Sequence, residues 1–248
     1  MPGSVAGPRT TESSETRWSA LWAPLRRCPQ SFWELSSARR IVARVNVAPL
    51  TLRAPSGGCV TARVPVVLAP MAGVTNAAFR QLCAEQGAGL YVCEMITSRG
   101  LVYGDHKTKD MLAFADNEKI RSVQLYGVDP QMMADATRIL CTEYHVDHVD
   151  LNFGCPVPKV TRKGGGGVLP WKRDRFRSVV AAVVQAADEF DVPVSVKTRI
   201  GIDDDHVTFI DSAKAAEDAG AAAVCLHARS VAEAYSGHSP VSYTHLRA

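Results

Sequence analysis

Apolar and polar positions alternate in blocks along most of the chain, beginning near residue 65. Short apolar stretches suited to buried strands are separated by longer stretches whose apolar residues recur with helical spacing. This alternation is typical of βα units on a parallel sheet. The predicted strands cover residues 64–70, 89–95, 121–127, 148–154, 192–201 and 221–229.

Helix starts between these strands carry recognisable capping residues. We expect Thr75 to cap the helix after the first strand, and Asp174 to cap the helix before the fifth strand. Asp129 followed by Pro130 predicts a helix that opens after the third strand, because proline suits the first helical position. Each predicted helix therefore connects two successive strands.

Two architectures accept six βα units: an open doubly wound sheet and a (β/α)8 TIM barrel. No GxGxxG follows the first strand, and polar residues accumulate where the strands end. The pattern therefore favours an α/β fold of the TIM-barrel class. Six units do not close eight strands, so we expect an incomplete barrel.

The chain divides into three parts by pattern. Residues 1–62 show no sustained periodicity and hold eight Arg, three Glu and no Lys, so we expect a disordered extension. This composition fits an organellar transit peptide or a dispensable tail. Residues 63–237 form the predicted catalytic domain, and residues 238–248 read as a divergent tail.

The cysteine content and the lack of long apolar stretches indicate the cellular compartment in which we expect the protein. Seven cysteines, odd in number and never spaced as CxxC, argue against a disulfide framework and against a structural zinc site. We therefore expect no metal and a reducing, cytoplasmic setting. No stretch of about 18 apolar residues occurs, so no membrane span is predicted. The sequence gives no oligomeric state.

The predicted strand ends bring several polar side chains to one face. Gln124, Asn152 and His227 each lie near the end of a different strand. Lys197 and Arg199 are two apart, so they face the same side of their strand. A lysine in a barrel interior needs an anion or a delocalised negative charge. We therefore expect a pocket that binds an anionic group.

Several motifs together resemble the tRNA-dihydrouridine synthase family, over about residues 65–237. They are LAPMAGVTNAAFR, YVCEMITSRGL, VQLYG, DHVDLNFGCPVPKVTRKGGGG, VPVSVKTRIG and LHAR, in this order. The resemblance implies an FMN-dependent TIM-barrel enzyme with a C-terminal helical domain. It further implies reduction of the C5–C6 bond of tRNA uridines, with NADPH as the reductant.

The resemblance also implies cofactor contacts. Pro70, Met71 and Ala72 would bed the flavin ring, and Gln124 would hydrogen-bond its pyrimidine edge. A cation at the N1/O2 side stabilises anionic reduced flavin. Lys197 would supply that cation, and His227 would add a donor there or toward the phosphate.

The GCP motif implies the catalytic residue. Cys155 would give a proton to uracil C5 while the hydride reaches C6; a thiol is mostly protonated near neutral pH, which suits a general acid. Asn152 would orient the uracil or flavin edge, and Arg199 is a further candidate contact to substrate or RNA.

The stretch after Cys155 reads as an RNA contact. Arg162 and Lys163 would contact phosphates, and Gly164–Gly167 would form a loop that closes over a flipped uridine. RKGGGG lacks the GK[ST] ending of a P-loop. We therefore favour a mobile substrate loop over a nucleotide-phosphate loop.

The family pattern stops matching after residue 237. The family continues with two further strands and a helical domain, whereas this chain reads HSPVSYTHLRA. Barrel phosphate sites commonly come from the loops after strands 7 and 8. We therefore expect a C-terminally truncated chain that binds FMN weakly or not at all and that aggregates through unpaired sheet edges.

Two other functions compete with uridine reduction in tRNA. An FMN barrel could reduce a free pyrimidine, although RKGGGG after the cysteine and the lack of Cys-rich iron-sulfur motifs argue against it. A non-catalytic RNA-binding module would use Arg162, Lys163 and the basic extension without reduction. That module would leave Cys155, Lys197 and His227 without a role.

Overall fold

The computed structural model describes residues 47–244, and its centre is a six-stranded parallel sheet. The six strands predicted from the sequence are confirmed. They are β3 (Val67–Leu68), β4 (Leu90–Thr97), β5 (Ser122–Tyr126), β6 (His148–Phe153), β7 (Val194–Arg199) and β8 (Ala223–His227). Two earlier strands, β1 (Leu50–Arg53) and β2 (Cys59–Ala62), lie outside this sheet.

The strands follow one another in chain order across the sheet, β3-β4-β5-β6-β7-β8, and every pair is parallel. A doubly wound sheet would reverse its order at a switch point, whereas a barrel adds each strand beside the last. The order is therefore that of a curled half-barrel, and the expected incomplete TIM-barrel fold is confirmed.

Helices of unequal length fill the connections. They are α1 (Ala77–Glu85), α2 (Ser98–Val102), α3 (His106–Asp110), α4 (Pro130–Glu143), α5 (Pro158–Thr161), α6 (Arg173–Asp188), α7 (Phe209–Asp218) and α8 (Val241–Thr244). A 3₁₀ helix spans Gly166–Trp171. No helix in residues 47–244 is long and apolar enough to cross a membrane.

Two of the three predicted caps need correction. Asp129 caps α4 as predicted, accepting from the Met132 amide. The cap of α1 is Asn76 and not Thr75, whose hydroxyl instead bonds the backbone of Met71.

The third cap is displaced because α6 starts two residues earlier than expected. Its N-cap position is Lys172, and Asp174 lies in the first turn. A carboxylate there still favours the helix through the macrodipole. The error concerns two residues at the helix start and not the existence of the helix.

A hairpin precedes the sheet and corrects the expected extent of disorder. β1 (Leu50–Arg53) pairs antiparallel with β2 (Cys59–Ala62), within the compact unit that begins at Val47. Leu52 and Ala62 are buried and pack against β4. The prediction of a disordered extension is therefore wrong for residues 50–62, and residues 1–46 lie outside the described residues.

The main core lies between the sheet and the helices packed on its outer face. α4 and α6 carry apolar stripes that pack on one another and on the strands, so both contribute many of the buried side chains. Phe153 of β6 meets Phe176 of α6 edge to face, with ring centroids 4.8 Å apart. The outward faces of the strands therefore stabilise the fold, and the inward faces are left to build a site.

Candidate active site

A cavity of about 340 Å³ lies at the C-terminal ends of the strands. Nine of the residues predicted from the sequence line it: Pro70, Met71, Ala72, Gln124, Asn152, Cys155, Lys197, Arg199 and His227. Arg162 and Lys163 do not line it; they are exposed in the segment after α5. The strand-end face is thus one pocket, with two predicted cations outside it.

Sheet register places the polar residues in layers. Gln124 is paired with Asp150, and Asp150 with Ser195, across β5, β6 and β7. One layer higher, Asn152 lies beside Lys197. Inward residues of a parallel barrel alternate along each strand. The pocket therefore stands on a floor of hydrogen-bonded polar side chains rather than on apolar ones.

Cys155 follows β6 and lines the cavity while only 8% exposed. Its backbone is held by Asn152, whose Oδ1 accepts from the amides of Gly154 (3.1 Å) and Cys155 (2.9 Å). Two bonds to one oxygen fix the turn that carries the thiol. Asn152 thus acts on the cysteine turn, a contact that the sequence interpretation did not assign to it.

The glycine stretch does not form the open loop expected from the sequence. Gly165, Gly166 and Gly167 are buried, and the Gly167 amide donates to the Cys155 carbonyl at 3.1 Å. Gly166 has a φ of +58°, and a Cβ there would lie 2.5 Å from the Cys155 carbonyl oxygen. Glycine is required because two backbone segments pack directly on each other. The prediction of a closing loop is corrected to a packed support for Cys155.

Gln124 and Asn152 are joined to a buried carboxylate that the sequence interpretation missed. Asn152 Nδ2 donates to Gln124 Oε1 at 2.8 Å, and Gln124 Nε2 donates to Asp150 Oδ2 at 2.6 Å. The Ser195 hydroxyl donates to the other carboxylate oxygen. Asp150 lies two residues before Asn152, so strand periodicity could have identified it.

Burial has a measurable effect on Asp150. Desolvation raises the pKa of its carboxyl to about 6, against opposing hydrogen bonds from Ser195 and Gln124 and the nearby charge of Lys197. A carboxyl with this pKa changes its charge close to neutral pH. Asp150 is therefore a titratable group directly beneath the pocket.

The two cations of β7 differ in their surroundings. Lys197 is half-buried and has no ion-pair partner within residues 47–244. Arg199 is 3% exposed and donates to the carbonyls of Gly154, Ser230 and Ala234 at 2.7–2.8 Å. Lys197 is available to an anion, whereas Arg199 braces the turn before Cys155. Its burial does not fit the predicted contact with RNA.

His227 ends β8 beside these cations. Burial, together with Arg199 and Lys197, lowers the pKa of its imidazole to about 4. The ring is therefore neutral near pH 7, with one nitrogen as donor and the other as acceptor. His227 can hydrogen-bond a bound group, but it adds no charge at neutral pH.

The wall formed by Pro70, Met71 and Ala72 is held from behind. The Met71 amide donates to the Thr75 hydroxyl at 3.0 Å, and the Gly73 amide donates to Glu94 at 2.5 Å. Within the same segment, the Thr75 carbonyl accepts from Arg80.

Arg80 anchors this segment to the fold. It is fully buried and forms an ion pair with Glu118 at 2.7 Å, and it also donates to the Ala113 carbonyl. A buried guanidinium with its donors satisfied is a rigid anchor. The wall is consequently fixed by the fold although its own side chains are largely exposed.

Other reactive groups lie away from the cavity. Burial raises the pKa of the Cys93 thiol to about 12, which keeps it protonated and inert. Among residues 47–244, no group of three or more His, Cys, Asp or Glu side chains could hold a metal ion. Cys155 is the cysteine of this part of the chain that lines the pocket.

Comparison with known proteins matches this arrangement to one family. The model of the dihydrouridine synthase (Dus) family matches residues 67–248, including the tail that reads as divergent. A probable tRNA-dihydrouridine synthase of Mycobacterium tuberculosis (strain CDC 1551 / Oshkosh) is 55% identical over 180 residues, covering 70% of this chain and 46% of the relative.

Two further relatives agree. A probable tRNA-dihydrouridine synthase of Mycobacterium leprae (strain TN) is 48% identical over 197 residues, covering 69% of this chain and 51% of the relative. The tRNA-dihydrouridine synthase B of Vibrio vulnificus (strain CMCP6) is 41% identical over 174 residues, covering 70% and 53%. The chain spans about half the length of these relatives. On the family match and these identities together, the chain belongs to the dihydrouridine synthase family.

Proposed function

We propose that this chain carries the flavin and uridine sites of a tRNA-dihydrouridine synthase, which reduces selected tRNA uridines to 5,6-dihydrouridine. One observation carries the proposal: Cys155, just after β6, and Lys197, on the neighbouring β7, line the same cavity as Pro70, Met71 and Ala72. A proton donor, a cation without an ion-pair partner and an apolar wall are three features that suit flavin-dependent reduction of a pyrimidine.

The cavity fits FMN by its chemistry. No carboxylate lines it within the described residues, and Lys197 is a cation without an ion-pair partner there. Lys197 and His227 would hold the polar edge of the flavin, and Gln124 would add an amide contact. When bound and reduced by NADPH, FMN supplies the hydride for uracil C6.

Cys155 performs the complementary step. Its thiol gives a proton to C5 of the uracil, and Asn152, Gly167 and Arg199 hold the turn that carries it. A general acid of this kind contributes roughly 10²- to 10⁴-fold to a rate when it is positioned against the reacting atom. The backbone contacts around Cys155 supply that positioning.

Arg162 and Lys163 suit the polynucleotide part of the substrate. Both are exposed in the segment that leads from α5 into the buried glycines beside Cys155. Cations at the rim of a pocket can contact phosphates while a base is flipped out of its stack and enters. The tRNA substrate and the free cysteines favour a cytoplasmic setting.

The test is dihydrouridine formation in an unmodified tRNA transcript, with FMN and NADPH, measured by nucleoside mass spectrometry. We expect product with the wild-type chain and at least about 100-fold less with Cys155→Ala. Cys93→Ala is the matched control, since its thiol is buried away from the cavity. Equal product from wild type and Cys155→Ala would contradict the mechanism.

Two control substrates separate the competing functions. Reduction of free uracil at the rate seen with tRNA would favour an enzyme of free pyrimidines. Retention of tRNA with no reduction of any substrate would favour a non-catalytic RNA-binding module. Our proposal expects reduction of tRNA alone.

A further inference from the structure

A continuous chain of hydrogen bonds runs from the barrel interior to the backbone of Cys155. It starts at Ser195 and Asp150, passes through the amides of Gln124 and Asn152, and ends at the Cys155 amide. The donor–acceptor distances are 2.6 Å between Gln124 and Asp150, 2.8 Å between Asn152 and Gln124, and 2.9 Å between the Cys155 amide and Asn152. These hydrogen bonds therefore connect the buried carboxyl of Asp150 to the turn that carries Cys155 through only two side chains, Gln124 and Asn152.

The direction of every bond in this chain is fixed by its two ends. A backbone N–H can only donate, so Asn152 must present Oδ1 to Gly154 and Cys155. Its Nδ2 then faces Gln124, which must answer with Oε1 and turn Nε2 toward Asp150. An ionised carboxylate only accepts, and it completes the sequence without a clash.

We propose that Asp150 is a positioning residue, which sets the amides of Gln124 and Asn152 and through them the turn that carries Cys155. The ionised form holds Gln124 by a charge-assisted hydrogen bond, roughly twice as strong as a neutral one. Protonation weakens that first bond and loosens the amides that depend on it. The cysteine turn thereby responds to the charge of a group that it does not touch.

The groups around Asp150 leave its titration separate. They are His148 on β6, Lys197 on β7 and Cys225 on β8, while the hairpin, β3 and β4 present apolar side chains to the same space. Burial lowers the pKa of His148 to about 4. Neighbouring protein atoms desolvate the Cys225 thiol and raise its pKa, although part of that residue is exposed at the sheet edge. A transition near pH 6 therefore belongs to Asp150.

The test is an NMR titration of the ¹⁵N-labelled chain between pH 5 and 8. The signals to follow are the side-chain NH₂ groups of Gln124 and Asn152 and the backbone amide of Cys155. We expect all three to shift with one midpoint near pH 6. Asp150→Asn should abolish the common transition, because an amide accepts from Gln124 without titrating.

A second variant keeps the test informative if Asp150→Asn folds poorly. Ser195→Ala removes a donor that favours the ionised carboxyl, so the common midpoint should move to higher pH in all three signals. Asp204→Asn, at an exposed position, is the control and should leave the midpoint in place. A Cys155 amide that does not follow Gln124, or a transition that persists in Asp150→Asn, would overturn the proposal.

The consequence for catalysis rests on the proposed function, whereas the NMR signals do not. The titration needs no flavin, NADPH or RNA. A chain that shows the common midpoint but reduces no tRNA would contradict the proposed function and leave the role of Asp150 intact. A chain that reduces tRNA but shows no common midpoint would support the proposed function and contradict the role of Asp150.

Discussion

Individual polar residues below the pocket carry an energetic cost that the site requires. Asp150 is fully enclosed between β5 and β7, and its charge is stabilised by two side-chain donors rather than by an ion pair. Its raised pKa means that folding disfavours the ionised form. Asp150 therefore destabilises the fold at neutral pH, while its hydrogen bond to Gln124 orders the side-chain amides of the site.

Asp150→Asn should make the fold more stable above pH 6. The pKa of Asp150 is about 6 in the folded chain, above its value in the unfolded chain. The wild-type fold therefore has its full stability below about pH 4, where the carboxyl is protonated in both states, and loses stability as the pH rises through 6. Asparagine does not ionise. We expect a gain approaching about 3 kcal/mol at pH 7–8 that vanishes at pH 4.

Urea denaturation at several pH values measures this difference. Asp204→Asn, exposed to solvent, should show a difference within about 0.5 kcal/mol at every pH. A gain that stays constant between pH 4 and 8 would show that Asp150 does not titrate as a raised-pKa carboxyl.

The predictable residues of the site are those whose side chains reach the cavity. Cys155 and Lys197 could be predicted because a thiol before proline and a lysine at a strand end are unusual in a barrel. Strand periodicity could have placed Asp150 on the inward face, but the roles of Asp150 and Ser195 depend on the register between neighbouring strands, which the sequence does not reveal. The bracing role of Arg199 could not be predicted, because its carbonyl partners lie about 30 to 45 residues away.

The 3₁₀ helix at Gly166–Trp171 is the element that most directly supports Cys155. Its first turn packs on the Cys155 carbonyl, and this close approach needs both a positive φ and the absence of a side chain. Gly87, after α1, also has a positive φ of 85° but has open space where a Cβ would lie. Both glycines adopt a backbone conformation that is unfavourable for alanine, but only at Gly166 would a Cβ also clash with a neighbouring atom.

Gly166→Ala should therefore destabilise the chain more than Gly87→Ala. The left-handed conformation costs either alanine of order 1 kcal/mol. At Gly166 the clash with Cys155 adds to this, and we expect a total of roughly 3 kcal/mol or more in urea denaturation. Equal losses in the two variants would mean that the close approach to Cys155 relaxes freely.

The β1–β2 hairpin is the element that the sequence pattern did not reveal. Each strand has only four residues, too few for a clear period of two. Its buried residues pack against β4, a contact that the local sequence cannot show. The longer elements were predictable because α4 and α6 repeat their apolar positions over several turns.

Leu52→Ala tests whether the hairpin belongs to the folded unit. Leu52 is 3% exposed, so its truncation should lower the free energy of unfolding by about 2–4 kcal/mol. Leu82→Ala, at a position 60% exposed on α1, should cost less than about 1 kcal/mol. If Leu52→Ala lowers the free energy of unfolding no more than Leu82→Ala does, residues 50–62 are not part of the folded unit.

The molecule as a whole is a curled sheet whose inward face builds the site and whose outward face builds the core. This division follows from the alternation along each strand, and it made the fold class predictable without any contact information. The outer edges of β3 and β8 have no strand partner among residues 47–244. Val224 and Cys225 of β8 are exposed, in keeping with the expected tendency to associate.

If the strand-end cavity binds a flavin through Lys197, as we propose, a titration monitored by FMN fluorescence should detect the binding. Although the sequence predicts weak or no FMN binding, the cavity and its Lys197, which has no ion-pair partner within residues 47–244, lead us to expect saturable binding. Lys197→Met should weaken this binding by roughly 10-fold or more, since hydrogen bonds to a charged group contribute about 1.5–3 kcal/mol. Lys119→Met, exposed just before β5 at the opposite end of the strands, should bind as the wild type does. Equal affinity in wild type and Lys197→Met, or no saturable binding by the folded chain, would contradict the proposed flavin site.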